Sequence, residues 1–199
     1  MNADAWFGAE LRRNLGEGFA VVHATAEHEP FLRALFADNL AASIVALGGD
    51  PRLTALGPLL EMQFRARQAG YAAAHPLAHD YVVSRRVDRA PVARFLVDWS
   101  LRDAPVVWGV DVAVHPERRS GAVGLQILRA WAKTCDWLRR PAQLHVLPHN
   151  PARRIYRWLG FVETDPTAFP LPMRREPRAE ARAAEPRLTG ASGILPALR

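Results

Sequence analysis

Apolar residues recur along this chain with two different periods, and the switch between them divides it. Phe19-Ala20-Val21-Val22-His23 is a short apolar run and predicts a strand. Thr25 then caps a helix, with Glu27 and Glu29 in a first turn where carboxylates suit the helix dipole. Phe31, Leu32, Leu35, Phe36 and Leu40 give that helix one apolar face. Gly48-Gly49-Asp50-Pro51 breaks the chain, and Leu56, Leu59, Leu60 and Phe64 start a second helical stripe that runs to Ala69. The period then drops to two. Asp80 to Arg86 predicts a strand, Val87 to Ala90 a turn and Val92 to Trp99 a second strand, together an antiparallel hairpin. Val106 to Val114 is strongly apolar and β-branched, as a central strand would be. Trp108 on that strand is expected in the core, and Trp99 at the surface. Ala122 to Leu138 is a helix with Ile127, Leu128, Trp131, Cys135 and Leu138 on one side. Gln143 to Val146 follows as a strand, Pro151 to Leu159 as a helix stopped by Gly160, Phe161 to Glu163 as a strand, and Pro172-Met173-Arg174 as a last one.

Counted without the short Pro172–Arg174 segment, the element order β-α-α-β-β-β-α-β-α-β predicts an α/β (α+β) fold, a mixed central sheet flanked by helices. Its 199 residues fit one domain with a core that needs no staples. We place that domain at 19–175, with 1–18 an extension of unassigned structure. From Glu176 the chain is Ala, Arg, Glu, Pro and Gly with few large apolar groups, so 176–199 is expected to be a disordered tail. The single cysteine, Cys135, excludes an internal disulfide and sits on an apolar helix face as a small hydrophobe. No apolar run reaches the length of a membrane span. Met1-Asn2-Ala3-Asp4-Ala5 lacks the basic start of a signal peptide, which leaves the cytoplasm as the default expectation. The net charge of +6 invites a nucleic-acid partner, but Lys133 is the only lysine and the arginines are scattered among acids. That spacing fits solvated arginines; nucleic acid is not expected, whereas an anionic small molecule is.

Two constellations carry candidate chemistry. The turn His115-Pro116-Glu117-Arg118-Arg119-Ser120-Gly121-Ala122-Val123-Gly124 joins a strand to a helix. A helix start offers unpaired N–H groups and a positive dipole end, and the small residues let a diphosphate approach them. Taken alone, the turn reads equally well as an ordinary connection, and it contains no common nucleotide motif. Asn150 stands between a strand and a helix, and Tyr156 lies one and a half turns into that helix. Singly, these are a helix cap and a packing tyrosine.

Their joint order resembles the GNAT acyltransferase superfamily. Arg119-Ser120-Gly121-Ala122-Val123-Gly124 is similar to that family's Arg/Gln-x-x-Gly/Ala-x-Gly/Ala turn, and Asn150 to Phe161 is similar to its closing segment. The likeness is specific over Val106–Phe161 and topological over 19–105. The resemblance implies acetyl transfer from acetyl-CoA to a primary amine of a small molecule or peptide. It implies a pyrophosphate on the amides of Arg119, Ser120, Gly121, Ala122, Val123 and Gly124, helped by Arg118. It implies a pantetheine arm along Val112, Ala113 and Val114, with Asn150 and Arg153 beside the cofactor. The acceptor would enter over the two early helices and the hairpin, where Glu61, Gln63, Arg67 and Tyr71 fall on or after the second helix. An inactive acetyl-CoA-binding member acting as a sensor or interaction module is the alternative. An oxygen acceptor or a longer acyl chain is a further one.

The chemistry needs a base for the amine, a donor for the oxyanion and an acid for the leaving thiolate. Tyr156 is the candidate acid, since phenol and thiol acidities are comparable. His145, in Leu144-His145-Val146, is the first candidate base, provided its face of the strand looks into the cleft. Asp111, inside the central apolar strand, is the second, because a buried carboxylate there needs a partner or a purpose. Ala122 stands where the family usually has glycine, and the expectation is that it is already helical and tolerates its methyl group. No metal is expected, and the six tryptophans leave room for an apolar homodimer interface.

Overall fold

In a computed structural model, the residues described are 2–46, 48–50, 57–100, 105–116 and 122–178. The elements are α1 (Ala3–Leu15), β1 (Phe19–His23), a 3-10 turn (Ala26–His28), α2 (Glu29–Ala46), α3 (Gly57–Ala74), β2 (His79–Arg85) and β3 (Pro91–Asp98). They continue with β4 (Val107–Val114), α4 (Val123–Leu138), β5 (Ala142–Val146), α5 (Arg153–Leu159), β6 (Val162–Glu163) and β7 (Leu171–Arg175). The predicted hairpin is β2–β3, with Val83 opposite Ala93 and Tyr81 opposite Phe95. Thr25 caps as expected, through a reciprocal pair of bonds with His28 that precedes α2. The second early helix runs past Ala69 to Ala74.

The seven strands form one mixed sheet in the order β1-β2-β3-β4-β5-β7-β6, antiparallel except for β4 with β5. The helices cover both faces. α1 and α4 pack on one face, over a core built from Phe7, Phe95, Val107, Ile127, Trp131, Phe161 and Met173. α2 and α3 lie on the other, over a smaller cluster of Leu32, Phe64 and Val82. Trp99 is buried rather than exposed, because it continues the inward face of Phe95 and Val97, and its indole donates to the Tyr81 hydroxyl at 3.2 Å. Trp108, the register partner of Asp98, is on the opposite face and only half buried.

Residues 3–15, left unassigned by the sequence, are a helix seated in the main core. Phe7 and Leu11 are fully buried, and Phe7 contacts the rings of Tyr81, Phe95 and Trp99 at 4.9–5.5 Å. Trp6 lies flat on Trp137 of α4, ring centroids 4.7 Å apart. At the other end, 179–199 of the expected tail lies outside the described residues, while Arg178 is ordered and its N–H donates to Asp136 at 2.7 Å. That carboxylate also receives both terminal nitrogens of buried Arg175, at 2.7 and 2.8 Å, which locks β7 onto α4.

Two local features shape β4. Its register with β3 slips between Leu96, opposite Asp111, and Val97, opposite Gly109, so Val110 has no partner of its own. Gly109 then sits over the Trp131 ring, so close that an added Cβ would lie 2.6 Å from it. The second feature is brevity of pairing: β5 matches β4 only at Val107, Trp108 and Gly109, and beyond that the two parallel strands part.

Because Phe7 fills the centre of the core, Phe7→Ala should cost about 3–5 kcal/mol, as for other buried aromatic truncations. Denaturant unfolding followed by tryptophan fluorescence measures it. A loss below about 1 kcal/mol would mean that α1 is an appendage rather than part of the folded unit.

Candidate active site

The parting of β4 and β5 opens onto a cleft of about 300 Å³ whose other walls are α2 and α3. Asp111, Val112 and Ala113 come from β4, Arg94 from β3, Phe64, Arg67 and Gln68 from α3, and Leu147 and Asn150 from the loop after β5. Leu32, Leu35, Phe36 and Leu40 of α2 form the remaining wall, with the polar Asn39 and Ser43 among them. The bulge at Val110 is the reason Asp111 faces this space. Val107 and Gly109 precede it on the α4 side, yet Asp111 emerges on the α2–α3 side with Ala113, while Val112 and Val114 return to α4.

The floor is a compact charge network. Arg94 is 7% exposed and grips Asp80 with two nitrogens, at 2.9 and 2.8 Å. It also reaches Gln68 at 3.1 Å and Asp111 at 3.4 Å. Arg67 approaches the second oxygen of Asp111 at 3.0 Å while its Nε donates to the Tyr71 hydroxyl at 2.6 Å. Burial opposes the charge on both arginines, but the facing carboxylates outweigh it and raise their pKa values. Tyr71 titrates higher than usual because it is buried beside Asp111. Two cations and two carboxylates leave the floor balanced, and Asp111 is the anion nearest the open cleft. Its Arg67 partner is 43% exposed and so the more readily displaced of the two.

Tyr156 comes from the opposite layer. α5 buries it to 5% exposure in the main core, with Phe161 at 6.0 Å. Burial pushes its pKa up, and the charge of Asp111 adds to this. The phenol is therefore a weaker acid than a thiol, not a comparable one, and holds its proton throughout the neutral range. It is suited to donating a hydrogen bond to a developing thiolate, since full transfer of its proton to a thiolate would run uphill.

Of the expected cofactor residues, Arg118, Arg119, Ser120 and Gly121 lie outside the described residues. Val112 and Ala113 line the cleft, and Val114 follows on the same strand. Val123 and Gly124 open α4, and Gly124 lies so near β4 that an added Cβ would stand 3.1 Å from the Val114 side chain. Ala122 overturns the expectation that it is helical. It precedes α4 with φ 58° and ψ 1°, a left-handed conformation in which its Cβ crowds the backbone. Glycine relieves that crowding, which is why the family's usual residue fits this turn. Asn150 lines the cleft, and its side chain accepts from the Ala152 N–H at 2.9 Å, shaping the entry to α5. Arg153 is turned away onto Glu163 at 2.7 Å and the Pro148 carbonyl.

His145 is on the face opposite Leu144 and Val146, as alternation requires, but it is exposed and does not line the cleft. Its ring lies 5.3 Å from Trp108, and partial burial with nearby His75 lowers its pKa. Of the suggested acceptor residues, Arg67 lines the cleft and Tyr71 adjoins it, whereas Glu61 is engaged with Arg33 and Arg65. The sequence reading passed over Arg94 and Asp80. The signal for Arg94 was the one used for Asp111, a charged residue inside an apolar strand, here Ala93-Arg94-Phe95.

No protein-family profile and no curated protein matches the sequence, so the comparison is one of structure. The PaiA N-acetyltransferase from Thermoplasma acidophilum, solved with coenzyme A, superposes with a TM-score of 0.60 at 11% identity, covering 79% of this chain and 98% of that one. A variant of the spermidine N-acetyltransferase SpeG from Vibrio cholerae gives 0.53 at 14% identity, covering 81% and 95%. A GNAT-family acetyltransferase from Staphylococcus aureus gives 0.53 at 14%, covering 80% and 99%. The chain has the GNAT acetyltransferase fold.

Ala122→Gly should raise stability by about 1 kcal/mol by removing the left-handed crowding, which is about 2–4 °C in Tm for a chain of this size. Differential scanning calorimetry checks the sign. A lower Tm would mean that the residue sits comfortably as alanine.

Proposed function

We propose that this protein is an acetyl-CoA-dependent N-acetyltransferase that moves an acetyl group to a primary amine of a small molecule or peptide. The observation that carries the reading is the cleft at the parting of β4 and β5, lined by the Asp111 carboxylate, with the protonated Tyr156 buried in the layer behind it and near enough for the charge of Asp111 to raise its pKa. The match of the fold to acetyltransferases, one of them solved with coenzyme A, supports the cofactor. So does the small-residue start of α4, where Gly124 permits close approach beside Val114.

The roles divide by chemistry. Acetyl-CoA supplies the electrophilic carbonyl. The unpaired edge of β4 at Val112 and Ala113 and the helix start at Val123 and Gly124, with the turn from Arg118 to Ala122, hold it. An amine arrives as an ammonium ion, and Asp111 draws it into the cleft by displacing Arg67. Asp111 then takes its proton directly or through water. Arg94 stays with Asp80 and keeps Asp111 in place. Tyr156 donates to the departing sulfur. The mixed wall from α2, leucines and Phe36 with Asn39 and Ser43, suits an acceptor with both hydrocarbon and polar groups next to its amine. His145 is too far round the sheet face for this scheme and serves beside Trp108.

The second reading, a binding protein without turnover, is favoured by one observation, the left-handed Ala122 in the cofactor turn. A thermal shift with acetyl-CoA compared with thiol release against a panel of amines distinguishes the two.

Tyr156→Phe keeps the ring packing and should lower kcat by about 10²–10⁴-fold with acetyl-CoA affinity unchanged. Normal turnover under chemistry-limited conditions would reduce Tyr156 to a packing residue. Asp111→Asn should depress kcat/KM for the amine by a comparable factor and leave cofactor binding intact, while His145→Gln stays near wild type. Should the acidic limb of the pH–rate profile vanish in His145→Gln and persist in Asp111→Asn, the histidine is the base.

A further inference from the structure

On the α1 side of the sheet, away from the cleft, three potential metal ligands converge from distant parts of the chain. Asp4 stands in the first turn of α1, His23 ends β1 and His79 begins β2. His23 pairs in register with Tyr81, so His79, two residues before Tyr81, shares its face. Asp4 Oδ1 lies 3.2 Å from His23 Nε2 and 3.3 Å from His79 Nδ1, and one ligand atom from each residue falls within 4.8 Å of the others. It is the only such grouping of three among the described residues.

The spacing matches metal coordination. Two ligands about 2.0–2.2 Å from a tetrahedral zinc ion stand about 3.3–3.6 Å apart. The two Asp4 contacts, 3.2 and 3.3 Å, lie at or just under that range, and the two imidazole nitrogens are within 4.8 Å of each other. Two imidazoles and a carboxylate are also a ligand set that suits zinc and its divalent neighbours. The carboxylate is oriented from behind. The buried Tyr81 hydroxyl donates to Asp4 Oδ1 and itself accepts from the Trp99 indole, the kind of outer hydrogen bonding that fixes metal ligands. The site is open outward, with His23 55% and His79 37% exposed, so solvent can enter and complete the coordination.

We propose that Asp4, His23 and His79 form a site for one divalent first-row transition metal ion, with zinc(II) as the test ion. The ion ties the first turn of α1 to the β1–β2 edge, so its expected effect is structural. The proposal is independent of acyl transfer, because these residues lie on the far face from Asp111 and Arg94.

The experiment uses the full chain without a polyhistidine tag, stripped with a chelator and then freed of it. Calorimetry should show one zinc per chain, and zinc should raise the thermal midpoint. His23→Ala, His79→Ala and Asp4→Asn should each weaken binding by roughly tenfold or more, at least the loss seen when an outer partner is removed. They should also abolish the thermal shift. His149→Ala, in the loop after β5, should change neither. Cobalt(II) in place of zinc should give the visible absorption of a low-coordinate site in wild type and His149→Ala but not in the three ligand variants. Circular dichroism of the metal-free variants checks their fold. If wild type binds no stoichiometric zinc, or the His23→Ala/His79→Ala double variant binds it as tightly, the site does not exist.

Discussion

The register slip at Val110 decides which side of the sheet receives the Asp111 carboxylate. Unbroken alternation from Val107 would put Gly109, Asp111 and Ala113 on one face, against α4. There the carboxylate would meet Trp131 and Phe95, with no partner for its charge, and burying it so would cost several kcal/mol or force protonation. The unpaired residue turns the strand over. Gly109 keeps its place above Trp131, and Asp111 is delivered to the α2–α3 side, where Arg94 and Arg67 meet it. The parting of β5 beyond Gly109 adds open space next to it. A bulge and a short pairing together make the cleft.

Arg94 then governs the floor. A guanidinium at 7% exposure cannot stay charged without compensation, and Asp80, Asp111 and Gln68 supply it from three different elements. Removing one member of such a network typically costs about 3–5 kcal/mol, because the remaining charge is left buried. The same contacts fix α3 against β2 and β3, so the position of the cleft wall and the position of Asp111 are set together. Arg67, more exposed and packed over the rings of Phe36 and Tyr71, is the adjustable part of the same network.

The opposite face is governed by shape rather than charge. Gly109 admits Trp131, which contacts Phe161 and Phe95, and Phe7 of α1 fills the space beyond. Tyr156 belongs to this packed layer, yet its hydroxyl is near enough to feel the charge of Asp111 on the other. The candidate site thus joins a rigid apolar layer, which holds Tyr156, to a charged layer, which holds Asp111 and its arginines.

Periodicity, with helix caps and chain breakers, made most of the elements from β1 to α5 legible, because a half-buried strand and an amphipathic helix each print their period on the sequence. The order of those elements, with Arg119 to Gly124 and Asn150 to Phe161, also determined the GNAT resemblance that the fold carries. Asp111 was legible as a charge inside an apolar strand, and Arg94 could have been read the same way. The helix α1 was not legible as core, because Phe7 and Leu11 are a thin stripe among charged residues and are buried only where Tyr81, Phe95 and Trp99 leave a hollow. Nor was the face of Asp111, since alternation presumes an unbroken register and one bulged residue inverts it. His145 looked like a cleft residue for a related reason. Its outward face was predictable, but whether that face met the cleft depended on where α2 and α3 end, which no residue near it records. Ala122 shows the same division. Sequence named the residue, while its left-handed φ shows only in the folded chain. Local pattern fixes what each segment becomes; which groups meet depends on register, bulges and helix placement, and those follow from packing across the whole sheet.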